Sequence, residues 1–276
     1  MSNVWMAALF AVFVWWFSTG AILMLVKYAD NRGARTRVTA VLASLPVLAA
    51  GVLVYLATLE SGTTLSRYGA FLAAIAIWGW FELAFLAGII TGPVNRPCPP
   101  GVSPWERFLR AWGTIAYSEM ALLAALVAMA WVGWNAENGV GMWTFVVLFF
   151  ARVSAKLNLF FGVANVNMEF LPDRMKHLPS HFTIAPMNWV FPFSVTALTL
   201  AMGCWLERSY SVTGADQIGF VLLAAITALA LIEHWLMILQ AGEARLWRWL
   251  VAGSAARRQR MRRTDNRPLG EDLHGL

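Results

Sequence analysis

Seven apolar runs, each about as long as a lipid bilayer is thick, dominate this chain and limit what it can fold into. They fall at roughly 5–26, 38–58, 68–90, 112–134, 141–163, 187–206 and 217–239. Crossing about 30 Å of hydrocarbon takes about 20 helical residues. No water is available there to satisfy backbone groups, so runs this unbroken must be helices; barrel strands would alternate apolar with polar. Composition agrees, with 59% hydrophobic and only 13% charged residues, against about 25% charged in an average soluble domain. The sequence therefore predicts an all-α, polytopic membrane helical bundle of about seven transmembrane helices.

Basic residues in short connecting segments stay cytoplasmic, and here they are lopsided. Lys27, Arg32, Arg35 and Arg37 lie in the first loop, Arg96, Arg107 and Arg110 in the third, Arg174 and Lys176 in the fifth, and eight more follow residue 240. The opposite side has only Arg67 and Arg208. The expected orientation is N-terminus periplasmic and C-terminus cytoplasmic, which requires the odd number of spans already read. The first span is longer than a signal-peptide core and has no basic residue before it, so it reads as a retained helix. Residues 1–240 read as a single seven-helix domain and 241–276 as a basic cytoplasmic tail, suited to anionic headgroups or to docking another protein. No recognisable nucleic-acid module accompanies that charge, so nucleic acid is not an expected partner; the lipid bilayer is. Cys98 and Cys204 fall on opposite sides, and no disulfide is expected.

The third loop, "TGPVNRPCPPGVSPWERFLR", is proline-rich and ends with Ser103-Pro104 and Glu106 in the pattern of a helix start. In the fifth loop, Pro172, Pro179 and Pro186 limit any helix to short turns. Many of the 15 Trp residues sit near span ends, as interfacial rings do. Trp15, Trp16, Trp78 and Trp80 lie deeper, where an indole N–H needs a partner or the ring a flat ligand.

Ionisable groups within spans are costly, and each is a functional candidate. Six occur: Glu82, Glu119, Arg152, Lys156, Glu233 and His234. They fall at similar depths in four spans, and Arg152 and Lys156 share a helix face through their i,i+4 spacing. A buried charge layer is expected, in which the fifth span meets glutamates from the third, fourth and seventh. Three acids against two bases leave room for one proton or for His234 as a further partner. Such a layer could orient helices, conduct a proton or ion, or floor a site for a polar headgroup. The polar loop that follows adds Asn158, Asn165, Asn167, Glu169, Asp173, His177 and His181 as pocket candidates. Glu169, Asp173, His177 and His181 have helical spacing, but Pro172 and Pro179 interrupt that helix, so no metal site is expected. The seventh span has no Lys for a retinal Schiff base. No nucleophile elbow, phosphate loop or dinucleotide fingerprint stands in a credible context. No catalytic residues are assigned.

"SAKLNLFFGVANVNMEFLPDRMKHL", with "PMNWVFPFSV" after it and "TGPVNRPCPPG" before it, resembles the PuhE family. These are multi-pass proteins encoded beside the reaction-centre H-subunit gene of phototrophic bacteria and described as photosynthetic complex assembly proteins. The resemblance covers most of the chain and is strongest over 91–195. Ala164, Met168 and Ser118 depart from the family pattern, and Ser118 takes the place of a His beside Glu119 that would suit pigment ligation. The resemblance implies a role in assembling photosynthetic complexes or regulating bacteriochlorophyll supply, in an inner or intracytoplasmic membrane. Reaction-centre or light-harvesting subunits would be partners, and bacteriochlorophyll or a precursor a ligand. His234, the one His inside a span, is then the candidate axial ligand. A small-molecule or proton transporter built on the charged layer is the alternative, and a membrane enzyme of bacteriochlorophyll metabolism the third.

Overall fold

The computed structural model describes residues 2–164, 166 and 172–239. Asn165, Asn167, Glu169 and the basic tail lie outside the described residues, as does the side chain of Asp173. Among the described residues the chain is helical, and the sheet pairing is confined to one isolated parallel bridge, Val163 with Ile184. Helix α1 is Ser2–Arg32, α2 Ala34–Ala43, α3 Leu45–Thr58, α4 Thr64–Leu86, α5 Pro104–Gly133, α6 Val140–Phe161, α7 Val190–Ser211 and α8 Ala215–Ile238. Seven of the described segments are long and apolar enough to cross a membrane, with α2 and α3 together making the second, Ala34–Thr58.

The division of that second span follows from Pro46, which lies in the first turn of α3. Its nitrogen cannot donate, and its ring crowds the carbonyl one turn back, so α2 stops and α3 restarts at Ser44. Helix α5 begins at Pro104, ahead of the apolar run, as the Ser103-Pro104 pattern predicts: Ser103 Oγ caps it by accepting from the Glu106 N–H at 3.2 Å. The proline-limited fifth loop contains two 3₁₀ turns, Asp173–Met175 and Leu178–His181.

Helix α4 lies at the centre and packs against α1, α3, α5, α6 and α8. Between helices in lipid, packing and hydrogen bonds replace the hydrophobic drive. The interior supplies both, with Phe71, Trp78, Phe145, Leu122, Leu222 and Ile226 in one buried cluster. The Trp78 and Phe145 rings meet edge to face with centroids 5.4 Å apart. At one end of the bundle, Tyr55 Oη donates to the Met129 carbonyl at 2.7 Å, and Asn138 Nδ2 donates to the Ser66 carbonyl at 3.0 Å.

At the other end, the loop after α4 folds back along α5. Val94 N donates to the Gly113 carbonyl and Ser118 N to the Thr91 carbonyl, each at 3.0 Å. These bonds tie α5 to the loop immediately before Glu119. Gly92 permits the approach, since a Cβ there would stand 2.1 Å from the Gly113 carbonyl oxygen and 2.7 Å from the Thr114 carbonyl carbon. Gly92→Ala is expected to push the loop off α5 and cost about 1–3 kcal/mol, the usual range for overpacking. Thermal unfolding of the purified protein in detergent measures this; an unchanged midpoint would show that the loop adapts freely.

Candidate functional site

Helix α6 brings Arg152 and Lys156 to the same face, and α4 and α5 meet them with carboxylates. Arg152 Nη1 pairs with Glu82 of α4, and Arg152 Nε donates to Glu119 Oε1 of α5 at 3.0 Å. Arg152 Nη2 also donates to Ser118 Oγ at 3.2 Å. Lys156 Nζ is bound to the same Glu119 oxygen. The guanidinium lies over the Phe85 and Trp78 rings, 4.8 and 5.7 Å from their centroids, and Lys156 Nζ lies 4.5 Å from that of Phe85. A cation stripped of water recovers part of its lost solvation from such ring faces. Two acids and two bases thus form a cluster of formal charge zero within the bundle.

The other two members of the expected layer are placed differently. Glu233 is exposed rather than buried, and its carboxylate accepts the Trp15 indole N–H at 2.9 Å. Its carboxylate stands on the α1-facing side of α8, at the cavity between those helices, which spacing along the chain does not reveal. His234 is buried, with 2% of its surface exposed, and both of its ring nitrogens are engaged. Nδ1 faces the Ala230 carbonyl at 2.8 Å and therefore carries the proton; Nε2 then accepts from Ser154 Oγ, also at 2.8 Å. In this arrangement the side chain joins α8 to α6, and Ser154 Oγ holds the Nε2 lone pair that an axial ligand would use.

Asn158 is fully buried and also joins helices. Its Nδ2 donates to the Ser154 carbonyl and to Ser194 Oγ of α7, both at 2.9 Å, and its Oδ1 accepts from Asn188 Nδ2 at 3.0 Å. Asn188 also donates to the Gly162 carbonyl at 2.6 Å, while its Oδ1 accepts from the N–H groups of Val190 and Phe191 and so caps α7. Asn188 is not among the expected site residues, although an Asn just ahead of an apolar run is a recognisable cap signal.

A second buried cation stands where the hydropathy pattern places a loop. Arg67 lies in the first turn of α4, donates to Asp216 Oδ1 at 2.6 Å and to the Glu137 carbonyl at 2.9 Å, and is 5% exposed. It stands fifteen residues before Glu82, about 22 Å along the helix. The deeper Trp residues also divide: Trp78 packs in the core, Trp80 Nε1 donates to the Val41 carbonyl at 3.3 Å, and Trp16 is exposed.

Cavities flank the cluster on its two sides. One, of about 380 Å³ between α1, α4, α6 and α8, is lined by Trp15, Trp78, Glu82, Arg152, Glu233 and His234 among others. The other, of about 370 Å³, lies between α5, α6 and the 3₁₀ turns, and takes in Glu119, Lys156 and His181. His181 is 1% exposed. Arg107 of α5 fixes its segment by donating to the His181 carbonyl at 2.9 Å and to Thr183 Oγ1. His177 is only partly buried, with Nδ1 3.1 Å from the Arg174 carbonyl.

Burial pushes the His181 imidazole below its ordinary value of 6.5; the charges of His177 and Arg107 act in the same direction, and hydrogen bonds to the His177 and Leu178 backbones oppose it. The folded state thus holds fewer protons here than the unfolded chain. This contribution to stability is present above pH 6.5 and lost as the pH falls toward the lower folded value. Acidification from pH 7.5 is expected to lower the melting temperature, and His181→Asn to flatten that acid limb; an unaltered limb in the variant would assign it to other groups. Removing one partner of a buried ion cluster leaves charge uncompensated, at about 3–5 kcal/mol. Arg152→Gln should lose that much stability in a thermal melt, and a loss below about 1 kcal/mol would mean the site is effectively hydrated.

The family described as protein of unknown function, DUF3623, matches residues 1–258. A Rhodobacter capsulatus relative named "uncharacterized 30.4 kDa protein in puhA 5′ region" is 48% identical over 252 residues, covering 91% of this chain and 92% of the relative. No solved structure matches the chain. With a family match and a relative that both extend over nearly the whole sequence, this chain belongs to the DUF3623 family.

Proposed function

We propose that this protein is a non-catalytic integral membrane factor of photosynthetic complex biogenesis, acting in assembly of the complexes or in the supply of bacteriochlorophyll to them. The observation that carries this reading is its 48% identity to the Rhodobacter capsulatus protein named for its place in the puhA 5′ region. The PuhE-like segments around Asn158 and Asn188 support it.

The geometry bears on what kind of factor this is. A proton or ion path needs charges that exchange partners during a cycle. Arg152 is held instead by carboxylates from two helices, by Ser118 and by two ring faces, an arrangement suited to a fixed scaffold. On this reading the cluster keeps α4, α5 and α6 in register and braces the cavity lined by Trp15, Trp78 and Glu82. That cavity would receive a bacteriochlorophyll precursor, gripped by its polar edges since His234 is occupied, or the terminus of a nascent pigment-binding helix. Reaction-centre or light-harvesting subunits are the proposed clients. With the C-terminus cytoplasmic, as the basic loops favour, the charged cluster and the cavities beside it would lie in the cytoplasmic half of an inner or intracytoplasmic membrane.

Purification through a C-terminal tag from phototrophically grown cells tests this reading. Reaction-centre or light-harvesting subunits are expected to co-purify, deletion of the gene to lower the content of these complexes, and Glu119→Gln, if it folds, to restore them. The tag should be reached by protease in inside-out vesicles and not in spheroplasts. A colourless preparation free of photosynthetic subunits, together with unchanged complex levels in the deletion strain, would overturn the proposal.

A further inference from the structure

Two residues that line the cavity beside α5 each carry a buried polar atom without a hydrogen-bond partner among the described residues. Glu119 Oε1 is shared by Arg152 and Lys156, whereas Glu119 Oε2 is buried without a hydrogen bond. His181 Nε2 is in the same condition. The residues are 3% and 1% exposed, and both line this one cavity. Buried polar groups are normally satisfied, so two residues that line one cavity and each carry an orphan atom point to a ligand that completes them.

Their chemistry specifies what that ligand offers. A carboxylate oxygen only accepts. His181 Nδ1 lies 3.3 Å from the His177 carbonyl, itself only an acceptor, so the proton belongs on Nδ1 and Nε2 presents a lone pair. The complement is therefore a pair of donors. Glu82, Glu119, Arg152 and Lys156 already sum to zero charge, so a carboxylate or ammonium brought into this space would go unpaired in low dielectric. The head of the ligand is uncharged. Around the polar atoms stand the rings of Phe85, Phe108, Trp112, Phe160 and Phe182, which favour a flat aromatic body. At about 370 Å³ the space falls within the range of small-molecule sites, roughly 300–1,000 Å³.

We propose that this cavity binds an uncharged aromatic diol of the hydroquinone class, whose hydroxyl groups donate to Glu119 Oε2 and His181 Nε2. The corresponding quinone, which carries carbonyl acceptors in place of hydroxyls, sets acceptor against acceptor at both positions and is discriminated against. Only binding is proposed, and it does not rest on the photosynthetic reading.

The test uses the full chain in lipid nanodiscs, titrated anaerobically with decylubiquinol and, separately, decylubiquinone, with empty nanodiscs correcting for partition into lipid. Thermal stabilisation as a function of concentration reports the affinity. Saturable binding of the quinol, roughly tenfold or more tighter than the quinone, is expected from loss of a hydrogen bond to a charged acceptor. His181→Phe should reduce that preference. Ala111→Phe, which adds a ring to the cavity wall and leaves both orphan-bearing residues unchanged, should abolish binding while the protein still melts cooperatively. Equal affinity for the two redox forms, or undiminished quinol binding in Ala111→Phe, would overturn the proposal.

Discussion

Arg152 places a permanent charge on a helix surrounded by apolar residues, and the middle of this bundle is arranged around meeting it. One guanidinium reaches Glu82 on α4, Glu119 and Ser118 on α5, and the faces of Phe85 and Trp78. No single helix could satisfy it, because five donors in a rigid fork need acceptors from more than one direction. Glu119 must in turn be positioned by α5, which the loop of residues 91–94 binds just before that residue. The ion cluster and the fold of the third loop are thus parts of one constraint.

A parallel set of neutral contacts joins α6 to its other neighbours. Ser154 accepts from Asn158 through its carbonyl and donates through its hydroxyl to His234; Asn158 then reaches Ser194 and Asn188. Helix α6 therefore has a charged side facing α4 and α5 and a hydrogen-bonded side facing α7 and α8. Residues that looked alike in the sequence, as polar groups at the end of one span, separate into these roles because successive residues on a helix point about 100° apart. This also explains why Asn158 and His234 bond between helices while His181, on the loop beyond, has a ring nitrogen without a hydrogen bond among the described residues.

What remained hidden in the sequence has identifiable causes. The apolar run begins just after Arg67, which by hydropathy alone puts this residue in a loop, yet α4 starts at Thr64, and the partner Asp216 belongs to α8, far along the chain. Glu233 and His234 are adjacent, so no depth count separates them, and rotation of α8 turns one toward Trp15 of α1 and the other toward Ser154 of α6. Asn188 gave a local capping signal, but its bonds to Asn158 and Gly162 depend on the loop returning across the end of α6.

The sequence by itself determined that this chain is a seven-span helical membrane bundle, since bilayer thickness and the need to satisfy the backbone leave no other use for such runs. It also marked Glu82, Glu119, Arg152 and Lys156 as groups requiring partners, because charge in hydrocarbon is expensive wherever it occurs. Tertiary structure alone decided who pairs with whom, which acid stays outside the cluster, and which buried atoms are left facing a cavity. Those outcomes depend on the rotation and offset of helices distant in the chain, and a depth along one helix carries no information about the side another helix will present to it.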